Sequence, residues 1–238
     1  MNISKRPHGD QVPSNWRHLA ESATLWSRAW RQFGHLGARG PRSGIPTLVI
    51  PGFVANDRTT LELRRALAEA GYRVHGWGHG WNLGATADVI EQLKQRLDEV
   101  SEEPVLLIGW SLGGLFAREV ARAHPDRVRA AVTLASPFSG DPKLNNIWKL
   151  YEWVAKHPVD QPPVERITAK PPVPTLAIWG RRDGILAESA ARGLAHESDR
   201  SIGLDFNHME FACSSRATRT VVGEISRFLT ELPTSSRA

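Results

Sequence analysis

The sequence is poor in cysteine, tyrosine and methionine, and it contains no long apolar run. Cys213 is the only cysteine, so no internal disulfide can form and a reducing compartment is the default. No stretch approaches the ~18 consecutive apolar residues of a membrane-spanning helix. The opening Met-Asn-Ile-Ser-Lys-Arg-Pro-His has no apolar core of a secretory signal, which predicts a cytoplasmic location. Basic residues are in excess, giving a net charge of +5, but they are scattered. There is no block of like charge and no nucleic-acid motif, so a nucleic-acid partner is not expected. No Asp/Glu cluster has the spacing of a calcium loop, and the glycines of Gly78 to Gly84 match neither a dinucleotide fingerprint nor a P-loop. No metal and no cofactor are expected.

What is present is an alternation of strand and helix signals. Apolar runs at Ile45–Ile50, Tyr72–Trp77, Val105–Ile108, Val128–Leu134, Pro174–Trp179 and Ser201–Phe206 read as strands. Helical periodicity is read at 57–70, 86–100, 112–124, 188–195 and 218–229. This rhythm predicts an α/β fold, a mostly parallel central sheet with helices on both faces. Three segments follow. Residues 1–44 form an N-terminal arm, with a Trp-bearing amphipathic helix over 15–33 and a Gly-rich linker. Residues 45–138 and 173–232 form the core. Residues 139–172 form a small helical cap insertion, with a helix over Leu144–Lys156 and flanking prolines. Tryptophan on one face of the first helix and arginine on the other also suit weak contact with a membrane surface. Oligomeric state is not legible.

The densest signal is Gly109-Trp110-Ser111-Leu112-Gly113, placed between the Val105–Ile108 strand and a helix with Leu112, Leu115, Phe116, Val120 and Ala123 on one stripe. A strand that turns into a helix this abruptly strains the residue at the bend and demands small neighbours two positions away. Ser111 then stands at the tip with its hydroxyl presented. The N–H of Leu112, at the positive end of the helix dipole, can stabilise an oxyanion beside it. A serine hydroxyl needs a base that titrates near neutrality, and that base needs an acceptor to fix its tautomer. Ligands in such sheets gather at the carboxyl ends of the strands. His208 and Asp183 stand at two such ends, in the order Ser, Asp, His that one fold uses. Asp205 is the competing acid, read as part of a buried structural pair inside the last strand. His79 and His124 are the competing bases, the first in a loop bordering the site, the second at a helix end. Glu210 reads as a nearby structural acid and His157 as a solvated cap residue. Trp110, Trp148, Tyr151 and Trp153 read either as packing or as the wall of a substrate pocket.

From Ile45 to Leu229 these motifs resemble the α/β-hydrolase superfamily. The residues that carry the likeness are Pro51-Gly52-Phe53, Gly-Trp-Ser-Leu-Gly-Gly at 109–114, His124-Pro125-Asp126-Arg127-Val128, Trp-Gly-Arg-Arg-Asp-Gly-Ile-Leu at 179–186 and Asn-His-Met-Glu-Phe at 207–211. Pro-Gly-Phe and Leu-Ala-Ser-Pro-Phe are similar to the bacterial lipase and esterase branch. The resemblance implies hydrolysis of a carboxylic ester or lipid-like small molecule without a cofactor, and a second oxyanion donor in the N–H of Phe53. Alternatives that it also admits are a thioesterase or acyltransferase with the same three residues, or a non-catalytic binding module, against which the presence of all three argues. The sequence departs from that branch in lacking a disulfide and a calcium loop. The helix over 15–33 also stands where the superfamily places its first strands.

Overall fold

The computed structural model describes residues 39–232, apart from 144, 146, 147, 156, 159, 162 and 165 and the side chains of 150 and 153. The expected helix over 15–33, its membrane contact and the side chain of Trp153 lie outside the described residues. Strands β1 (Pro46–Ile50), β2 (Arg73–Gly76), β3 (Val105–Trp110), β4 (Val128–Leu134), β5 (Thr175–Gly180) and β6 (Arg200–Leu204) form one sheet in the order β2-β1-β3-β4-β5-β6. Every neighbouring pair is parallel. The helices are α1 (Leu61–Glu69), α2 (Val89–Val100), α3 (Leu112–Ala123), α4 (Trp148–Ala155), α5 (Glu188–Arg192), α6 (Glu210–Cys213) and α7 (Ser215–Glu231), with a 3₁₀ turn at Pro125–Arg127. Among the described residues no helix is long and apolar enough to cross a membrane.

The two-residue period of a strand divides the core into two layers. In β3, Leu106, Ile108 and Trp110 face the side covered by Leu63 and Leu67 of α1 and by Val221 and Ile225 of α7. Val105 and Leu107 face the other side, with Leu93 and Leu97 of α2 and Phe116 and Val120 of α3. This continuous burial explains why β3 reads as an unbroken apolar run rather than an alternating one.

Several elements are shorter than their periodicity, for local reasons. Helix α1 begins at Leu61 rather than Asp57, because the Asp57 carboxylate is turned inward to accept the N–H groups of Trp77 (2.9 Å) and Gly78 (3.1 Å). The cap helix begins at Trp148 rather than 144, and Asn145 instead bridges to Leu186. Helix α5 stops at Arg192, where Gly193 takes a positive φ of 69°. The last strand ends at Leu204, so Asp205 lies beyond it rather than inside it.

Candidate active site

The turn from β3 into α3 holds Ser111 at φ 53°, ψ −123°, a conformation that costs a non-glycine residue on the order of 1–3 kcal/mol. It persists because close packing leaves no alternative. The Ser111 N–H donates to the Leu134 carbonyl at 2.8 Å. A Cβ on Gly109 would lie 2.1 Å from the Gly113 carbonyl oxygen, and one on Gly113 would lie 2.4 Å from that of Ile50. The serine is 6% exposed. Leu112 is the first residue of α3, so its N–H has no acceptor one turn back within the helix.

Asp183 and His208, on the loops after β5 and β6, are brought together. The Asp183 Oδ2 lies 2.8 Å from Nδ1 of His208, with the two side chains 4% and 3% exposed. The other carboxylate oxygen, Oδ1, accepts the N–H groups of Ile185 and Leu186, each at 2.8 Å. A carboxylate only accepts, so Nδ1 is the donor in this contact, and in the neutral imidazole the lone pair is then on Nε2. His208 is tied in turn to the end of β3, since its carbonyl accepts the Trp110 indole N–H at 3.1 Å and the two rings lie 5.6 Å apart. Glu210 and Asn207 close the turn around it. The Asn207 N–H donates to Glu210 Oε2 (2.8 Å), and the Glu210 N–H donates to Asn207 Oδ1 (3.0 Å).

The competing residues go elsewhere. The Asp205 side chain is 75% exposed and pairs with Arg182 at 2.9 Å, which corrects its expected burial. His79 is exposed and its ring meets the Trp77 indole edge-on. The backbone N–H of His124 closes the end of α3 on the Val120 carbonyl. His157, expected to be solvated, is half-buried, its ring edge-on to Tyr151 with Nε2 3.4 Å from the hydroxyl and Nδ1 3.0 Å from the Pro158 carbonyl.

A cavity of about 790 Å³, counting its open mouth, begins at Ser111 and runs along Leu112, Leu115, Phe116 and Glu119 of α3. These positions recur on one face of a helix. Phe53, Trp148 and Tyr151 line the cavity, and the Phe53 and Tyr151 rings lie 5.0 Å apart. Trp110 is not part of this wall. It ends β3 on the opposite face of the sheet from α3, where its indole supports His208.

Three polar residues of this region escaped the sequence reading. Burial pushes the Glu119 carboxyl above its ordinary range, although it accepts the Ile167 N–H and pairs with Arg122. Arg166 also lines the cavity and donates to the Pro137 and Ser139 carbonyls. Arg118, pushed down to about 10 by burial, donates to the carbonyls of Glu197, Thr168 and Ala169 and straps the chain returning from the cap to α3. The available signal was a pair of charges, Arg118-Glu119, within an apolar helix. Among the described residues no group of three or more His, Cys, Asp or Glu could hold a metal ion.

Residues 45–161 match the family model of the alpha/beta hydrolase fold. Pimeloyl-[acyl-carrier protein] methyl ester esterase from Klebsiella pneumoniae (strain 342) is 46% identical over 59 residues, 25% of this chain and 23% of the relative. The Citrobacter koseri enzyme of the same name is 41% identical over 61 residues, 26% of this chain and 23% of the relative. The chain thus spans about a quarter of the length of these relatives. Among solved structures, a hydrolase from Pseudomonas aeruginosa PA01 has a TM-score of 0.62 at 16% identity, covering 81% of this chain and 92% of that one. The enol-lactonase from Burkholderia xenovorans LB400 has a TM-score of 0.58 at 19% identity, covering 83% and 96%. The thioesterase domain from the curacin biosynthetic pathway has a TM-score of 0.59 at 14% identity, covering 78% and 93%. At such identities these likenesses establish the fold alone. Parallel sheet, strained serine turn and matched family model together place this chain in the α/β-hydrolase superfamily.

Proposed function

We propose that the protein is a serine hydrolase of carboxylic esters with an apolar acyl or alcohol group, working through an acyl-enzyme. The observation that carries this reading is the buried 2.8 Å contact of Asp183 with His208, roped to the serine turn through Trp110. In this reading Ser111 Oγ bonds to the ester carbonyl carbon as its proton passes to His208 Nε2. The N–H groups of Phe53 and Leu112 hold the oxyanion, and Asp183 stabilises the imidazolium. The tetrahedral adduct collapses, the C–O bond to the alcohol breaks, and Nε2 returns the proton to the departing alkoxide. Water deprotonated by His208 then releases the acid and restores the serine. The apolar wall of Leu115, Phe116, Trp148 and Tyr151 suits an aliphatic or aromatic group.

The partial likeness to esterases named for an acyl-carrier-protein substrate favours a second reading of the substrate only, an acyl group carried on a protein rather than a free ester. The acyl-enzyme chemistry is unchanged. A fluorophosphonate probe tests the reaction class. Labelling confined to Ser111 and lost in Ser111→Ala is expected, together with turnover of p-nitrophenyl esters. A folded protein that takes no label and turns over none of these esters would remove the enzyme reading.

A further inference from the structure

We propose that Asn82 is the positioning residue of the oxyanion hole, holding the Pro51–Ala55 turn so that the Phe53 N–H is aimed beside Ser111. The proposal deepens the serine-hydrolase reading and rests on it. Asn82 lies in the glycine-rich loop after β2, is 1% exposed and does not line the cavity. Its side-chain Nδ2 donates to the Pro51 carbonyl at 2.8 Å. Its backbone carbonyl accepts the Val54 N–H at 2.7 Å, and its own N–H donates to the Ala55 carbonyl at 2.8 Å. Its Oδ1 accepts the Gly84 N–H at 3.2 Å, which fixes the amide orientation.

These contacts have a specific geometry. The Pro51 carbonyl belongs to the peptide plane before the one that carries the Phe53 N–H, and the Val54 N–H belongs to the plane after it. Asn82 therefore anchors both planes that flank the donor and restricts rotation of the plane between them. That plane abuts the nucleophile, because a Cβ on Gly52 would lie 3.0 Å from Ser111 Cβ and 3.1 Å from the Trp110 ring. Val54 sits at φ 50°, a region a β-branched residue enters only when its surroundings over-determine it. Asn82 supplies that constraint. A donor that is already aimed costs no reorganisation when negative charge develops, which is where such donors act.

The test compares wild type, Asn82→Ala, Asn82→Asp and Ser111→Ala by steady-state hydrolysis of a p-nitrophenyl ester. Affinity for phenylboronic acid, which forms a tetrahedral serine adduct, is measured alongside. Asn82→Ala and Asn82→Asp are expected to lower kcat about 10–100-fold, less than outright loss of a donor, with KM within about 2-fold. Boronate affinity falls by a similar factor. Asn82→Asp keeps the shape and the acceptor for Gly84, so it carries the test if the alanine variant does not fold. Its deficit relative to wild type is expected to shrink as pH falls, because the protonated carboxyl regains an O–H donor for the Pro51 carbonyl. A kcat at wild-type level, a pH-independent deficit in Asn82→Asp, or a loss confined to KM overturns the proposal. Wild-type protein no more active than Ser111→Ala fails at an earlier point. It sinks the serine-hydrolase reading itself, and the positioning role falls with it.

Discussion

At the scale of single side chains, burial separates carboxylates that composition treats alike. Asp183 is enclosed and spends both oxygens on His208 and two backbone donors, whereas Asp205 is open to water against Arg182. Asp183→Asn is expected to lower kcat by up to about 10⁴-fold, through loss of the correct imidazole tautomer. Asp205→Asn should leave it within about 2-fold, since an exposed ion pair contributes little. Steady-state kinetics on one ester ranks the two. Glu119 carries a pH prediction. Burial raises its carboxyl, so the folded protein keeps a proton that the unfolded chain releases near its ordinary pKa of ~4.3. Between that value and the raised one, stability falls as pH rises. Glu119→Gln keeps the acceptor for Ile167 and cannot ionise. Its stability relative to wild type should therefore increase from pH 4 to 7, read as urea midpoints across that range.

At the scale of elements, the β3–α3 turn concentrates what the rest of the fold has to accommodate. The glycines around Ser111 are spacers: a methyl group on Gly113 would meet the Ile50 and Pro51 carbonyl oxygens at 2.4 and 2.7 Å. Gly113→Ala is expected to destabilise the protein by about 1–3 kcal/mol and to abolish fluorophosphonate labelling, as measured by chemical denaturation and probe reaction. This element was legible because two independent rules, hydrophobic period and turn sterics, agree on it. The cap was less legible. Leucine and tryptophan spacing predicts a helix from 144, yet Asn145 pairs with Leu186 across space, a partner that periodicity cannot see. Trp110 shows the same limit. Its position beside Ser111 suggested the pocket, but strand alternation sends its side chain to the other face, under His208.

At the scale of the whole molecule, the parallel sheet is one continuous hydrogen-bonded frame, and the segment between β4 and β5 adds no strand to it among the described residues. β3 is buried at all six positions and laddered on both sides by β1 and β4. The eight-residue α4 lies outside the ladder and meets the core through side chains such as Tyr151 on Phe53 and Ala85. Amide hydrogens of β3 should therefore exchange only through global unfolding. Those of Trp148–Ala155 should exchange at least about 100-fold faster through local opening, as hydrogen–deuterium exchange would resolve. Equal protection of the two segments would show the cap to be part of the cooperative core.

The order of strands and helices, the two-sided burial of the sheet and the serine turn are written in the sequence. Each depends on neighbours within a few residues, where period, sterics and glycine act directly. The pairing of Asp183 with His208 is legible from strand ends and chain order, but its 2.8 Å contact, the face that receives Trp110, and the way Asn82 comes to brace the turn at Phe53 were decided only in three dimensions. Those choices join segments far apart along the chain, and chain packing, rather than local preference, sets their distances.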